Sequence, residues 1–221
     1  MTLRAFETRA ALSQKTYEIE LFGFLKHWRI FVELILDDFT TGPDKATLTG
    51  GSGVTSLPTR VQKANVPGGF RRVQLEWSRN TYAQPGSFGI PKKGPMVVSM
   101  PIKTNHRLTL RYGSDAAGEN KPLNLNLSAF NTLRAEFDCL DHGLNWGATI
   151  YSKDGSVFVN TGANIDESTV PYVSDIPFPP ISPTAPGFSF DDIDYIYVYF
   201  QTLGFLAGSD YALRKLSFIH V

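Results

Sequence analysis

The pattern that most constrains the fold of this 221-residue chain is a two-residue alternation of apolar and polar side chains. It occupies residues 72–77, 107–112 and 123–128, for example RLTLRY at 107–112. Successive side chains of a β-strand point to opposite faces, so each segment predicts a strand with one buried and one solvated face. Strands of this kind are typical of antiparallel sheets that meet water on one side.

Turn signals separate the alternating segments. Asp154 and Gly155 lie between TIY at 149–151 and VFV at 157–159, which predicts a hairpin. No long amphipathic helix is evident after residue 36, and 19 Gly with 14 Pro indicate a turn-rich chain. These features predict an all-β fold, a two-sheet antiparallel sandwich of the jelly-roll type.

Residues 171–187 are unusually rich in proline. Proline lacks the N–H group that a β-ladder needs, so this segment cannot be a central strand. We expect an extended irregular connection at the surface, which covers a sheet edge or one end of the sandwich.

Residues 1–34 form a separate N-terminal segment, followed by the sandwich domain at 35–221. The stretch 17–21 alternates like a strand, whereas Phe24 and Trp28 have a helical spacing. Charged residues interrupt the apolar stretch, so neither a membrane span nor a secretory signal is predicted. We interpret the segment as an arm that docks on a neighbouring subunit. The alternative is a first strand or helix packed on its own domain.

The balance of charge limits the classes of binding partner that we expect. The chain has 21 Lys+Arg and 21 Asp+Glu, so its formal net charge is zero. Nucleic-acid binding draws on a basic excess that neutralises phosphates, and an anionic membrane surface attracts the same excess. We therefore expect neither nucleic acid nor a membrane as the partner.

The single cysteine, Cys139, excludes an internal disulfide and a multi-cysteine zinc site. Alternation within residues 132–139 places it on the same face as Leu133, Ala135 and Phe137. Buried cysteine behaves as a small hydrophobic residue. The sequence therefore predicts that the Cys139 thiol packs in the core.

Residues that commonly carry catalysis are not grouped in this sequence. The motif GGSG at 50–53 lacks the spacing of a nucleophile elbow or a phosphate loop, and the four histidines are scattered without ligand spacing. In the adjacent pairs at 37–38 and 191–192, the two aspartates point to opposite faces of a strand. Neither pair is by itself a two-carboxylate glycosidase unit. We expect a non-catalytic protein that requires no cofactor.

Five short motifs occur in an order found in a known group of domains. They are ILDDFTTG at 35–42, VPGGFRR at 66–72, LNLSAFNTL at 125–133, FDDIDYI at 190–196 and GSDYAL at 208–213. Together they resemble bacterial β-sandwich domains that open with (I/V)-D-D-F-(S/T)-x-G and are similar to carbohydrate-binding modules with a galactose-binding-like jelly roll. The resemblance covers the chain from residue 35 onward and implies this fold, with glycan binding as one function.

The resemblance also implies a candidate metal site. Related domains often hold a structural Ca²⁺ between their first and last strands, through the carboxylate and carbonyl oxygens that this ion prefers. Asp38 and Asp210 occupy those places in this sequence. The alternative is that both are turn residues whose carboxylates accept hydrogen bonds from the backbone.

Aromatic residues supply the candidate binding surface. The run YIYVYF alternates, which places Tyr195, Tyr197 and Tyr199 on one face and apolar residues on the other. Such a row can stack on sugar rings or fill a protein interface, or it can lie covered by the proline-rich connection or the N-terminal segment. Trp77 and Trp146 are further candidates, although tryptophans of this kind more often lie in the core or at its rim.

Two functions from different classes follow. The first is a structural or adhesion subunit of a larger assembly, such as a virion or surface appendage, in which residues 1–34 dock on a protein partner or on a second copy. The second is a stand-alone or enzyme-accessory glycan-binding module. The lack of an export signal and the additional N-terminal segment favour the assembly subunit, and with it a virion or cell-surface location. A polysaccharide is a candidate ligand in both cases.

Overall fold

The computed structural model describes residues 32–48, 50–61, 66–115, 117–153, 155, 157–178, 186–203 and 208–221. These residues form thirteen strands and one turn of 3₁₀ helix, Pro67–Gly69. The strands are β1 Glu33–Asp37, β2 Asp44–Leu48, β3 Gly53–Val61, β4 Phe70–Ser78, β5 Gly86–Ile90, β6 Met96–Met100, β7 Asn105–Tyr112, β8 Thr132–Leu140, β9 Leu144–Ser152, β10 Val157–Ile165, β11 Tyr172–Pro177, β12 Ile193–Thr202 and β13 Ser209–Ile219. No helix in this part of the chain is long and apolar enough to cross a membrane.

The strands pair antiparallel in two sheets. The first sheet has the order β11-β8-β13-β6-β5-β2, and β1 pairs with the half of β13 that extends beyond β6. The second sheet has the order β10-β9-β12-β7-β4-β3. The predicted fold, an all-β antiparallel sandwich of the jelly-roll type, is confirmed.

The inner faces of the two sheets meet in one hydrophobic core. Leu108 and Leu110 of β7 are fully buried, as their alternation predicts. Phe200 of β12 stacks on Trp146 of the same sheet, with 5.9 Å between ring centroids, and meets Phe137 of the first sheet edge-on at 6.0 Å. Aromatic side chains bury large areas, so contacts of this kind dominate the stability of such a core.

A buried ion pair also joins the sheets. Through Nη1, Arg71 of β4 donates hydrogen bonds to both carboxylate oxygens of Asp37 in β1, at 2.9 and 2.8 Å. Its Nη2 donates to the carbonyl oxygen of Thr41 at 2.9 Å, and Tyr112 of β7 donates to the Asp37 carboxylate at 3.0 Å. Arg71 and Asp37 are only 2% and 1% exposed. A buried charge without a partner is very costly, so each group depends on the other.

The prediction of a strand at residues 123–128 is wrong. These residues run as an irregular segment in which Leu125 exchanges two backbone hydrogen bonds with Ile193, at 3.0 and 2.8 Å, as an isolated bridge. Asn124 has a positive φ of 50°, which takes the backbone out of the extended conformation that a ladder needs. Leu125 and Leu127 are nevertheless buried. The alternation at 123–128 therefore indicates which side chains are buried, and not that the segment pairs as a strand.

The prediction that Cys139 lies in the core is also wrong, because the thiol is exposed. Between β8 and β13 the register shifts: one step along β13, from Leu213 to Ala212, corresponds to two steps along β8, from Phe137 to Cys139. An extra residue of this kind is a β-bulge, and it breaks the alternation of faces. Leu140 is buried in place of Cys139.

The hairpin predicted at 154–155 is present. Strands β9 and β10 pair with Tyr151 opposite Val157, and Gly155 has a φ of 83°, which glycine adopts without steric cost. The proline-rich segment 171–187 is less irregular than expected, because Tyr172–Pro177 forms β11. This strand lies at the edge of the first sheet and pairs with β8. The expectation that the segment is not a central strand is confirmed.

The N-terminal boundary of the sandwich lies at β1. Glu33 pairs with Ile219 and Leu34 with Phe218, so both residues belong to the first sheet rather than to the N-terminal segment assigned to 1–34. Residues 1–31, and with them the docking-arm hypothesis, lie outside the described residues.

Candidate functional site

The tyrosine row lies on the outer face of the second sheet. Tyr195, Tyr197 and Tyr199 are half-buried, whereas Ile196 and Val198 between them are fully buried. Strand β12 is central, with β9 on one side and β7 on the other. The inward side chains of β12 therefore anchor it in the core, and its tyrosines stand between the outward side chains of two neighbouring strands.

Strand register places polar and aromatic side chains beside the tyrosines. Tyr195 lies opposite Tyr151 of β9, Tyr197 lies opposite Arg111 of β7, and Tyr199 lies opposite Thr109. Strand β4 continues the face, because Arg72 pairs with Arg111 and Gln74 with Thr109. We name this surface the tyrosine–arginine face and define it by Tyr151, Tyr195, Tyr197, Tyr199, Arg72, Arg107 and Arg111.

Ring and cation contacts hold these side chains in place. Tyr151 meets Tyr197 edge-on at 5.3 Å between ring centroids, and Tyr195 at 6.4 Å. The guanidinium of Arg111 lies over the Tyr197 ring at 5.3 Å, and that of Arg107 lies over the Tyr199 ring at 4.7 Å. Cation–π pairs of this type are worth about 0.5–2 kcal/mol each. The face is therefore organised before any ligand arrives.

Partial burial shifts the ionisation of two tyrosines. It raises the pKa of both Tyr197 and Tyr199, and the positive charges of Arg111 and Arg107 oppose the rise. Both phenols keep their proton at neutral pH, so each hydroxyl group can donate one hydrogen bond and accept others.

Two cavities open along this face. A small one of about 110 Å³ is lined by Arg72, Gln74, Thr109, Arg111 and Tyr197. A larger one of about 830 Å³ lies at the end of the sheet, where Glu76, Arg107 and Gln201 meet Trp77 and His106. Both cavities are lined by residues of β4 and β7. Tyr197 lines the small cavity, and the larger one lies beyond the row, beside Arg107 and Gln201.

Two residues that line the larger cavity have a buried ring nitrogen without a protein partner. Nδ1 of His106 and Nε1 of Trp77 have no hydrogen-bond partner among the described residues. Burial lowers the pKa of His106 to about 4, so its ring is neutral at pH 7. An unsatisfied buried polar atom costs about 1–3 kcal/mol. Both nitrogen atoms have almost no solvent-accessible surface, so they are not among the atoms that the cavity exposes.

The two tryptophans predicted as binding residues occupy different places. Trp146 is fully buried, and its Nε1 donates a hydrogen bond to Oγ of Ser174 at 2.8 Å. Its assignment to a binding surface is therefore wrong, because inward positions of β9 face the core. Trp77 is half-buried, packs against the core and lines the larger cavity rather than the tyrosine row.

The structure does not bring Asp38 and Asp210 together. Asp38 follows β1, which ends opposite Leu216, whereas Asp210 pairs with Ser99 at the start of β13. At about 3.3 Å per residue, these two places on β13 are on the order of 15–20 Å apart, too far for one ion to bind both carboxylates. Oδ1 of Asp38 accepts hydrogen bonds from the backbone N–H and the hydroxyl group of Thr40, as in a turn. Within the described ranges, no group of three or more His, Cys, Asp and Glu could hold a metal ion.

The sequence predicts the outward tyrosines but not the arginines that lie beside them. The outward positions of Arg107 and Arg111 are visible in the alternation of β7, and that of Arg72 in the alternation of β4. The pairing of β7 with β12 has no local signal, because it joins strands distant in the chain. The sequence alone therefore does not indicate that these arginines share one surface with Tyr197 and Tyr199.

No protein-family model matches this chain, and no curated protein sequence matches it. Among solved structures, the chain is similar to the family 11 carbohydrate-binding module of a cellulosomal cellulase of Clostridium thermocellum, at 14% identity and a TM-score of 0.43, over 86% of this chain and 95% of that chain. It is similar to the module TmCBM27, described by its specific mannan recognition, at 9% identity and a TM-score of 0.35, over 87% of this chain and 99% of that chain. It is also similar to the enzymatically active domain of tailspike protein 4 of bacteriophage CBA120, at 9% identity and a TM-score of 0.36, over 82% of this chain and 20% of that chain. The structural neighbours thus include jelly-roll carbohydrate-binding modules, and the likeness is one of fold.

Proposed function

We propose that this protein is a non-catalytic glycan-binding module that holds an extended oligosaccharide against the tyrosine–arginine face. Of the two functions predicted from the sequence, the geometry supports the module better than the assembly subunit. The observation that carries the proposal is a row of tyrosine rings at outward positions of a central strand, bordered by two cavities.

The chemistry of this face matches that of a sugar. A pyranose ring has an apolar face of C–H groups and an edge of hydroxyl groups. Tyrosine rings offer apolar area with a hydroxyl group attached, and Gln74, Thr109 and Gln201 beside them offer neutral donors and acceptors. Stacking on the rings and hydrogen bonding at the edges are therefore available together.

The volume of the larger cavity favours a ligand over a flat protein contact. At about 830 Å³ it falls within the range of roughly 300–1,000 Å³ that is typical of small-ligand sites. Its lining includes Glu76, Arg107 and Gln201, whose polar groups can exchange hydrogen bonds with hydroxyl groups.

Carboxylates are scarce on this face. Glu76 is the one carboxylate among the cross-strand partners of Arg72, Arg107 and Arg111, and its Oε1 accepts a hydrogen bond from Gln74 at 2.7 Å. Glycoside hydrolysis usually needs two carboxyl groups that face one bond. We therefore assign binding without catalysis to this site.

Substitution of Tyr197 by alanine tests the proposal. Tyr197 lies between the other two tyrosines of the row and contacts Tyr151 and Arg111, so its loss should raise the dissociation constant of a bound polysaccharide about tenfold or more. Affinity gel electrophoresis against neutral and acidic polysaccharides, followed by titration calorimetry, provides the measurement.

The matched control is Tyr172→Ala, since Tyr172 is an exposed tyrosine on β11 of the first sheet. We expect this variant to bind as the unchanged protein does. Equal weakening by the two substitutions, or the absence of binding to every polysaccharide, would contradict the proposal.

The assembly-subunit hypothesis depends on residues 1–34 and stays a prediction. A docking arm at the N-terminus and a glycan-binding face on the second sheet are compatible, because they use different parts of the chain. In that case the subunit would bind glycan as part of the assembly.

A further inference from the structure

Three arginines of the tyrosine–arginine face form no ion pair with a carboxylate of the described residues. Among the described residues, no carboxylate lies within 4.0 Å of the guanidinium nitrogens of Arg72, Arg107 or Arg111. Arginines elsewhere in the sandwich differ, since Arg134 pairs with Asp175 at 2.7 Å and Arg214 with Asp138 at 3.2 Å. Glu76, opposite Arg107, is the one carboxylate among their cross-strand partners, so the face keeps a local excess of positive charge although the chain as a whole has no net charge.

Arg72 and Arg111 are direct cross-strand neighbours between β4 and β7. Like charges opposite each other destabilise a sheet. Their hydrogen bonds do not cancel the charge, because the acceptors are neutral: the carbonyl oxygen of Gly118 for Arg72, at 3.4 Å, and the side-chain oxygen of Asn120 for Arg111. An anion between the two guanidinium groups would turn this repulsion into attraction.

The small cavity lies at the place where such an anion would sit. Its lining includes Arg72, Arg111 and the Tyr197 ring, in a volume of about 110 Å³. Nε of Arg111 is buried and has no hydrogen-bond partner in the described part of the chain. The guanidinium fork matches the two oxygens of a carboxylate, sulfate or phosphate group.

We infer that the cavity between Arg72, Arg111 and Tyr197 is a subsite for an anionic substituent of the glycan, so that the ligand is an acidic polysaccharide. This inference rests on the proposed function, because the sugar ring that carries the substituent stacks on the tyrosine row. The sugar ring lies against the tyrosine row beside the Arg111 guanidinium, which covers part of Tyr197, while its charged group reaches the two arginines.

Arg107 extends the subsite to a second position. It lies four residues from Arg111 on the same face of β7, a distance of about 13 Å along the strand. Its guanidinium covers the Tyr199 ring and also borders the larger cavity. A single pyranose ring is too short to reach both arginines. A ligand that meets both arginines therefore spans more than one sugar of an extended chain.

The test compares polysaccharides that differ in charge. A uronate polymer, a sulfated galactan and a neutral mixed-linkage glucan are titrated against the full chain and against Arg111→Gln, Arg72→Gln and Arg111→Lys. We expect each glutamine variant to weaken binding of an acidic polymer about tenfold or more, and the lysine variant, which keeps the charge but loses the fork, to weaken it less. The two acidic polymers separate carboxylate from sulfate recognition. Arg214→Gln, which removes the same charge from the first sheet, is the control, and each variant is first checked for an unchanged melting temperature.

The outcomes separate this inference from the proposed function. Preference for an acidic polymer that is lost in Arg111→Gln and retained in Arg214→Gln supports both. Binding of the neutral glucan with equal or greater affinity overturns the acidic ligand and leaves the module intact. Equal weakening by Arg111→Gln and Arg214→Gln also overturns the subsite, because it indicates non-specific attraction. If no polysaccharide binds, the proposed function fails and the inference fails with it.

Discussion

At the scale of single residues, the ion pair of Arg71 and Asp37 connects β4 to β1 and so fixes one sheet against the other. Burial raises the pKa of the Asp37 carboxyl, and the charge and hydrogen bonds of Arg71 oppose that rise. Tyr112 adds a further hydrogen bond to the same carboxylate. Truncating one member of a buried pair leaves the other charge without water or a partner, which costs more than the pair itself contributes.

We expect Asp37→Ala to lower the free energy of unfolding by about 3–5 kcal/mol, because the buried Arg71 guanidinium loses its two short hydrogen bonds to the carboxylate and keeps, among carboxylates, only the longer contact with Asp44, at 3.4 Å. Urea denaturation followed by tryptophan fluorescence measures the loss. Asp175→Ala is the matched control: it removes the partner of Arg134 at a more exposed site, where the cost is about 1 kcal/mol or less. A loss in Asp37→Ala no larger than in the control would show that the buried pair is not a structural contact between the sheets.

At the scale of elements, β12 supports the candidate site because one of its faces is buried in the core and the other carries the tyrosine row. Its inward residues, Ile196, Val198 and Phe200, are fully buried and fix the strand in the core. Its outward tyrosines are thereby held on a rigid support, and sites built on strands are positioned more accurately than sites on loops. The alternation of this one strand was readable from the sequence.

The bulge between β8 and β13 is a place where alternation in the sequence no longer predicts which side chains are buried. An extra residue in one strand is a property of the pair, and the sequence of β8 alone contains no sign of it. The pattern at 132–139 therefore predicted a buried Cys139 that the structure places at the surface.

This correction predicts that the Cys139 thiol reacts in the native protein. We expect a chromogenic disulfide reagent to label one thiol per chain without denaturant, since solvent reaches the sulfur. Labelling in 6–8 M urea, a concentration of denaturant in the range used to unfold domains, gives the total for comparison. A thiol that reacts only in urea would place Cys139 in the core after all.

At the scale of the whole molecule, the strand order of the second sheet assembles the tyrosine–arginine face. Strand β12 supplies the tyrosines, while β7 and β4 supply the arginines from much earlier in the chain. The same order places the larger cavity at one end of the row, where β4 and β12 end and β7 begins. The candidate site is thus a product of topology, and no short segment of the chain contains it.

The N-terminal segment gives a prediction about assembly. Its apolar residues within 17–32 need a surface to pack on, so we expect the full chain to form a defined oligomer in solution and a chain that starts at Val32 to be a monomer. Light scattering coupled to gel filtration measures both masses. The shortened chain keeps β1, which begins at Glu33. Two well-behaved monomers would remove the main support for the assembly-subunit hypothesis.

The sequence by itself determined the fold class and the outward direction of Tyr195, Tyr197 and Tyr199, because alternation with a period of two is a local property of a strand. It also excluded an internal disulfide, because the chain has a single cysteine. Only the tertiary structure decided which strands are neighbours, that Asp38 and Asp210 lie apart, and that Trp146 is buried. It also brought Arg72 and Arg111 to Tyr197, because pairing between distant strands depends on the packing of the whole sandwich.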